Sequence, residues 1–276
     1  MIAFVGSVFS PYYAFSGRQN PENHCAINIA LYDRRGDAWA MTERPSEDIS
    51  RSQSQFVIGP SRLERDGQTL LISIEERSAP IPRKMSGEIR ITLPWLSDRV
   101  FDLDPAGRHI WQPLCTRARV SVTFSAPHRR WEGTGYVDRN SGLEPLEQGF
   151  DYWDWSRTED ESGRTAIRYV ADPAGGARRH LSLRFLEDGI LSNTEIEEDV
   201  PLSPTPIWRI KRRAGRLDTH APSLVRTLED TPFYSRSLMS YDGGRMRSMH
   251  ESFSGRRLRS PIIKSLLPVR MPRRKA

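Results

Sequence analysis

Cysteine is scarce. Cys25 and Cys115 are the only two and form no CxxC pair, which excludes a disulfide framework and leads us to expect a reduced, cytoplasmic setting. Long apolar runs are missing too: nothing approaches the ~18–20 residues of a membrane-spanning helix. The apolar N-terminus, MIAFVGSVFSPYYAF, has no basic residue before Arg18 and is interrupted by Pro11, so no secretory signal is expected. A Walker A loop, a GxGxxG after a strand, HExxH and GxSxG are all lacking. The six histidines, at 24, 109, 128, 180, 220 and 250, show no ligand spacing. No metal or nucleotide cofactor is therefore predicted, although a Ser-His-Asp triad assembled from distant positions stays open.

Proline and glycine are plentiful and spread throughout (20 and 19), which leaves little room for long helices. The net charge of +6 is unevenly placed. Residues 255–276 hold eight Lys or Arg and no acid, so the rest of the chain is net −2. The basic character belongs to a tail. That tail has no interleaved aromatics and no zinc-finger or RRM signature, so no nucleic-acid partner is expected.

Alternating runs separated by turn residues predict many short strands: Cys25 to Met41 around Arg35-Gly36-Asp37, Phe56 to Ile58, Thr69 to Ile74, Glu88 to Leu93, Val100 to Leu103 and Arg117 to Phe124. Thr165 to Val170, His180 to Phe185 and Leu191 to Ile196 continue the pattern. This spacing predicts an all-β chain, and its length suits two antiparallel barrels in tandem better than one. The boundaries read as 1–122 and 123–254, followed by the tail 255–276.

Two i, i+2 pairs stand out: His109 with Trp111, and Tyr136 with Asp138. On strands, both members of a pair point to one face, and about one hairpin separates the pairs, so the four side chains are candidates to line one cavity. Gly133 and Gly135 precede Tyr136, where the backbone can bend or a ligand approach. Each pair also has a plainer reading. His109 follows Pro105-Ala106-Gly107 and reads equally as a solvated turn residue, and Asp138 precedes Arg139-Asn140-Ser141-Gly142 and reads equally as the start of a turn. In Phe150-Asp151-Tyr152-Trp153-Asp154-Trp155, a strand sends Trp153 and Trp155 to one side and Tyr152 to the other. Core packing is their first reading and ligand lining the second.

The runs FVGSVFSPYYAFSG (4–17), NHCAINIALY (23–32), IGPSRLERDG (58–67), LDPAGRHIWQPLCTRARV (103–120) and RWEGTGYVDRNSGLEPLEQGFDYWDWSR (130–157) resemble the acyclic carotenoid 1,2-hydratases (hydroxyneurosporene synthases) of phototrophic bacteria. So do AWAMTER (38–44), LEDTPFYSRS (228–237) and LPVRMPRR (267–274). The resemblance covers nearly the whole chain. It implies a cofactor-independent hydro-lyase that adds water to the terminal C1=C2 bond of an acyclic carotenoid such as neurosporene or lycopene. It also implies two tandem lipocalin-like barrels. The family's His-x-Trp and Tyr-x-Asp pairs match His109 with Trp111 and Tyr136 with Asp138, making these four the expected catalytic residues. Trp153, Trp155 and Tyr152 are the expected substrate-binding residues. Members usually carry a further N-terminal segment upstream of the FVGSVFSPYY run, so the first barrel is expected to lack an edge strand or the start to lie further upstream.

On this reading the alkene is protonated at C2, giving a tertiary cation at C1. Asp138 is the expected acid, kept neutral by an apolar pocket, with His109 orienting it, reloading it or placing the water. Trp111 and Tyr136 are expected to turn their π faces to the cation. A bilayer-resident substrate implies a peripheral membrane association, for which the tail offers Ile262, Ile263, Leu266, Leu267 and Val269 among basic residues; packing of those apolar residues on the body is the equal alternative. Pro261 and Pro268 are expected to limit a tail helix to about one and a half turns. The competing functions are a non-catalytic lipocalin-like carrier of apolar lipid, which has no need of Asp138 or His109, and a protein whose tail binds acidic partners.

Overall fold

The computed structural model describes residues 1–194 and 198–275. The predicted strand Leu191 to Ile196 is described as far as Thr194, and the rest of it lies outside the described residues. The chain is mainly β, in antiparallel sheets, and forms two compact units, each drawing on several segments. Among the described residues no sheet closes on itself. No helix of the described residues is long and apolar enough to cross a membrane.

The first unit takes residues 1–94, 118–135 and those from Lys264 on. Strands β1 (Ile2–Phe4), β2 (Cys25–Leu31) and β3 (Ala38–Arg44) form a three-stranded sheet. Strands β4 (Ile49–Arg51), β5 (Gln55–Ile58), β6 (Ser61–Asp66), β7 (Thr69–Arg77) and β8 (Lys84–Thr92) form a meander. Period-2 patterning fixes its register. Ile72 and Ile74 of β7, Met85 and Ile89 of β8, and Val122 and Phe124 further on are buried in one core with Cys25, Ile27 and Ile29 of β2. A short helix α1 (Pro11–Phe15) starts with its first-turn proline and is capped by Ser10, whose Oγ accepts from the Tyr13 N–H at 2.8 Å.

The second unit takes residues 95–117 and 136–263. It begins with β9 (Phe101–Asp102), which pairs with the start of β10 (His109–Ala126); β11 (His128–Gly142) neighbours β10. A short helix α2 (Leu146–Gly149) leads into β12 (Phe150–Glu159), followed by β13 (Thr165–Pro173), β14 (Arg179–Phe185), β15 (Leu191–Thr194), β16 (Asp199–Leu202), β17 (Arg212–Gly215), β18 (Ser223–Asp230), β19 (Tyr234–Tyr241) and β20 (Met246–Phe253). The main sheet of this unit runs β15-β14-β13-β12-β20-β19-β18, and β16 pairs with β17. One face of the main sheet is aromatic. The other is polar and buried: Asp154 accepts from Ser252 at 2.6 Å and from Arg213 of β17 at 3.1 Å, and the His250 Nε2 donates to the Arg213 carbonyl at 2.8 Å.

Helices α3 (Gly255–Leu258) and α4 (Pro261–Arg270) close the chain. The helix α4 runs through Pro268, longer than expected, because Pro261 sits in its first turn and the helix ends two residues after Pro268, where one missing N–H costs little. The last residues pack on the first unit. Met271 is buried with Ala26 and Met41, Arg270 stacks 4.3 Å over the Trp39 ring, and Arg273 bonds Glu43 and Asn23.

Candidate active site

The aromatic face of the second unit carries the site. Cross-strand registration sets Tyr169 of β13, Trp155 of β12 and Glu251 of β20 side by side, and Arg236 of β19 and Glu229 of β18 extend the row. Trp153 lies two residues from Trp155 on the same face, with its ring 5.7 Å from Tyr169 and stacked 5.5 Å from Phe253. The Trp111 ring lies 5.5 Å from Tyr169 and 5.4 Å from Phe101, and the Tyr136 ring lies 5.3 Å from Trp155.

Asp138 bonds two members of this cluster. Its Oδ2 accepts from the Trp111 indole N–H at 3.0 Å and from the Tyr136 hydroxyl at 3.2 Å. The same indole N–H also reaches the Tyr136 oxygen at 3.2 Å. The Asp138 side chain is open to solvent, and protein atoms crowd round it. That enclosure raises its pKa to about 6; the Trp111 bond opposes the rise, the Glu251 charge adds to it and the Tyr136 bond opposes it. The Tyr136 hydroxyl is pushed well above its ordinary value, by burial first and the Asp138 charge second. Both donors go to Oδ2, so when the carboxyl is neutral its proton is carried by Oδ1.

His109 and Trp111 are both buried and point the same way from β10, so His109 is not a solvated turn residue. The structure gives His109 other partners than Asp138, and among the described residues no hydrogen bond joins the two. Its ring lies 4.6 Å from Phe150, its Nε2 is 3.4 Å from Glu144 Oε1, and its backbone N–H donates to Asp104 at 2.7 Å. Gly142 and Gly149 press on the ring. A Cβ on either would lie 2.7 Å from Nδ1 or 2.1 Å from Nε2. Burial lowers the His109 pKa by more than the Glu144 and Asp104 charges raise it.

Of the seven residues expected from sequence, Trp111, Tyr136, Asp138, Trp153 and Trp155 come together. Tyr152 does not. It lies on the opposite face of β12, donating to Asp154 Oδ1 at 3.0 Å, with the Arg213 guanidinium 4.9 Å over its ring. Trp111 is fully buried and presents its N–H to Asp138, whereas the sequence reading turned its π face to a cation. Sequence reasoning passed over Tyr169 and Glu251. Tyr169 lies in a run read as an ordinary alternating strand, and Glu251, between His250 and Ser252, carries no apolar period.

The family model for the carotenoid hydratase CrtC matches residues 1–276. The chain is 44% identical over 278 residues to the acyclic carotenoid 1,2-hydratase of Thiocapsa roseopersicina, covering 99% of this chain and 68% of that protein. It is 44% identical over 281 residues to that of Rubrivivax gelatinosus (99% and 69%) and 35% identical over 284 residues to that of Cereibacter sphaeroides (99% and 98%). The chain belongs to the carotenoid hydratase family.

Proposed function

We propose that this protein adds water across the terminal C1=C2 bond of an acyclic carotenoid, with Asp138 as the proton donor. The observation that carries the reading is a carboxyl held by the Trp111 indole N–H and the Tyr136 hydroxyl, whose rings pack on Tyr169 and Trp155. A polyene end offers no polar handle, so its binding rests on apolar burial at about 25 cal/mol per Å². Neutral Asp138 gives its Oδ1 proton to C2, and the tertiary cation forms at C1. The Trp155 ring, packed 5.3 Å from Tyr136, offers a π face that stabilises a desolvated cation by about 1–2 kcal/mol. Water attacks C1, and its spare proton returns to the Asp138 carboxylate, so the site regains its starting state.

Trp111 and His109 act here as positioning residues. Trp111 fixes the carboxyl through its N–H, and His109, two residues earlier on β10, holds that end of the strand against Phe150. Trp111→Phe keeps the ring and loses the donor, so a fall of roughly 10-fold in kcat with little change in KM is expected. Steady-state kinetics that match wild type would remove the indole N–H from the scheme.

The direct test is incubation of the full chain with lycopene or neurosporene in anionic vesicles, followed by pigment analysis for 1-hydroxy products across pH. The acid must be protonated to work, so kcat/KM should rise about tenfold as pH falls from 7 to 5, with its midpoint near 6. In kcat the midpoint should lie higher, because bound polyene expels water and further disfavours the carboxylate. Pigment that binds and never acquires a hydroxyl would favour the carrier reading.

The same reading makes each unit a lipocalin-like barrel and the protein a peripheral one, working at the cytoplasmic face of the membrane that holds its substrate. The support is on α4, where Ile262, Leu266 and Val269 recur at i, i+4 and i+7 and are exposed beside exposed Arg270.

A further inference from the structure

The Asp138 carboxyl has a charged neighbour that its hydrogen bonds do not account for. Five side chains stand directly opposite one another across five strands of the second unit: Tyr169, Trp155, Glu251, Arg236 and Glu229. Directly opposed residues in antiparallel strands keep their Cβ atoms within about 5.5 Å. Glu251 is thus a neighbour of Trp155, whose ring packs on Tyr136, which in turn donates to Asp138. The Glu251 Oε1 accepts from the Arg236 Nε at 2.9 Å, and Arg236 also reaches Glu229 at 2.9 Å.

We propose that Glu251 is the second carboxylate of this site: a positioning residue, paired with Arg236, whose negative charge keeps the proton on Asp138. The inference rests on the hydratase reading above and extends it from the acid to what holds the acid ready. The groups that bear on Asp138 are Tyr136 and Asn140 from its own strand, Trp111 from β10, Tyr169 from β13 and Glu251 from β20, the last backed by Arg236 and Glu229. The Trp111, Tyr136 and Asn140 side chains favour the ionised carboxylate, because each donates to it. Glu251 opposes ionisation through charge, and burial works in the same direction. Tyr169, whose hydroxyl is raised by burial and then by both carboxylates, lies within the field of the pair. Asp138 is open to solvent, so poor solvation alone holds its proton weakly; a fixed anion nearby keeps the bias in place between turnovers.

Glu251→Gln removes the charge and keeps the shape. Its kcat/KM profile for lycopene hydration should move to lower pH by roughly half to one unit, so the loss of rate is several-fold larger at pH 7 than at pH 5. Glu251→Asp, which keeps the charge, should hold the wild-type midpoint. A role confined to packing would lower the rate equally at every pH, and an unmoved midpoint in Glu251→Gln overturns the proposal. Glu251→Ala is a second charge-removing variant with the same expected shift. The protonated carboxyl band of Asp138 in infrared spectra, identified by its loss in Asp138→Asn, reads the same midpoint without turnover. Wild-type protein that forms no 1-hydroxy product would overturn the hydratase reading, and the infrared midpoints would still decide the role of Glu251.

Discussion

Asp138→Asn should abolish 1-hydroxy product, by roughly 10³-fold or more, in a protein that is folded and still takes up polyene. The amide keeps the shape of the carboxyl, and its oxygen still accepts from Trp111 and Tyr136 at the positions they occupy around Oδ2. Only the transferable proton is lost. The sign of the accompanying stability change follows from linkage. The pKa of Asp138 is raised in the folded protein from 3.8 to about 6, so between those values the folded state binds more proton than the unfolded one, and stability contributed here falls as pH rises. Above pH 6 the wild type therefore carries a carboxylate in a place that disfavours it. At pH 7.5 the Asn variant should melt no lower than wild type, and at pH 4.5 that advantage should vanish. Near wild-type turnover by Asp138→Asn would remove Asp138 as the acid. Loss of turnover with a collapsed melting transition would assign it a structural role instead.

The sequence reveals this site unevenly, and the reasons are physical. Alternation of apolar residues marks the strands of the first unit, and β2, β3, β5, β7 and β8 lie where it predicts, with β2 and β3 burying residues of both faces. The strands β19 and β20 escape notice because much of what they bury is polar. Ser235, Ser237, Ser248, His250 and Ser252 are all at most 1% exposed, and a pattern search takes such residues for a solvent face. Glu251 is hidden for that reason. The Tyr136 and Asp138 pair shows as an i, i+2 motif because β11 runs from His128 to Gly142 and keeps both on one side. The same logic separates Tyr152 from Trp153, since adjacent strand residues point to opposite faces. His109 is the reverse case. Its spacing from Trp111 is visible, yet the ring is enclosed by Gly142, Gly149 and Glu144, whose approach depends on a turn and on α2, far beyond the reach of strand periodicity.

That enclosure sets the second large effect. Gly149→Ala should destabilise the fold by about 2 kcal/mol or more and cut hydration at least 10-fold. Gly149 is the last residue of α2 and has no special backbone angle to protect, so the cost is steric. A methyl there would sit 2.1 Å from His109 Nε2, 2.8 Å from Cδ2 and 3.0 Å from Glu144 Oε1. The ring has nowhere to go. Gly142 closes the Nδ1 edge, Phe150 lies 4.6 Å away, and the His109 N–H is tied to Asp104. Strain at His109 then reaches Trp111 two residues along the strand, and through its indole N–H the orientation of Asp138. A methyl at Gly133, which would meet nothing within 4 Å, is the control and should leave melting and turnover as they are. The informative variant is the double one. Pairing Gly149→Ala with His109→Ala removes the clash, so thermal melting should recover most of the lost stability, a non-additivity expected only of groups in contact. Turnover should stay low, because Trp111 is then unsupported. Full recovery of turnover would make His109 mere filling, and a Gly149→Ala protein as stable as wild type would show that the ring is not held where this scheme needs it.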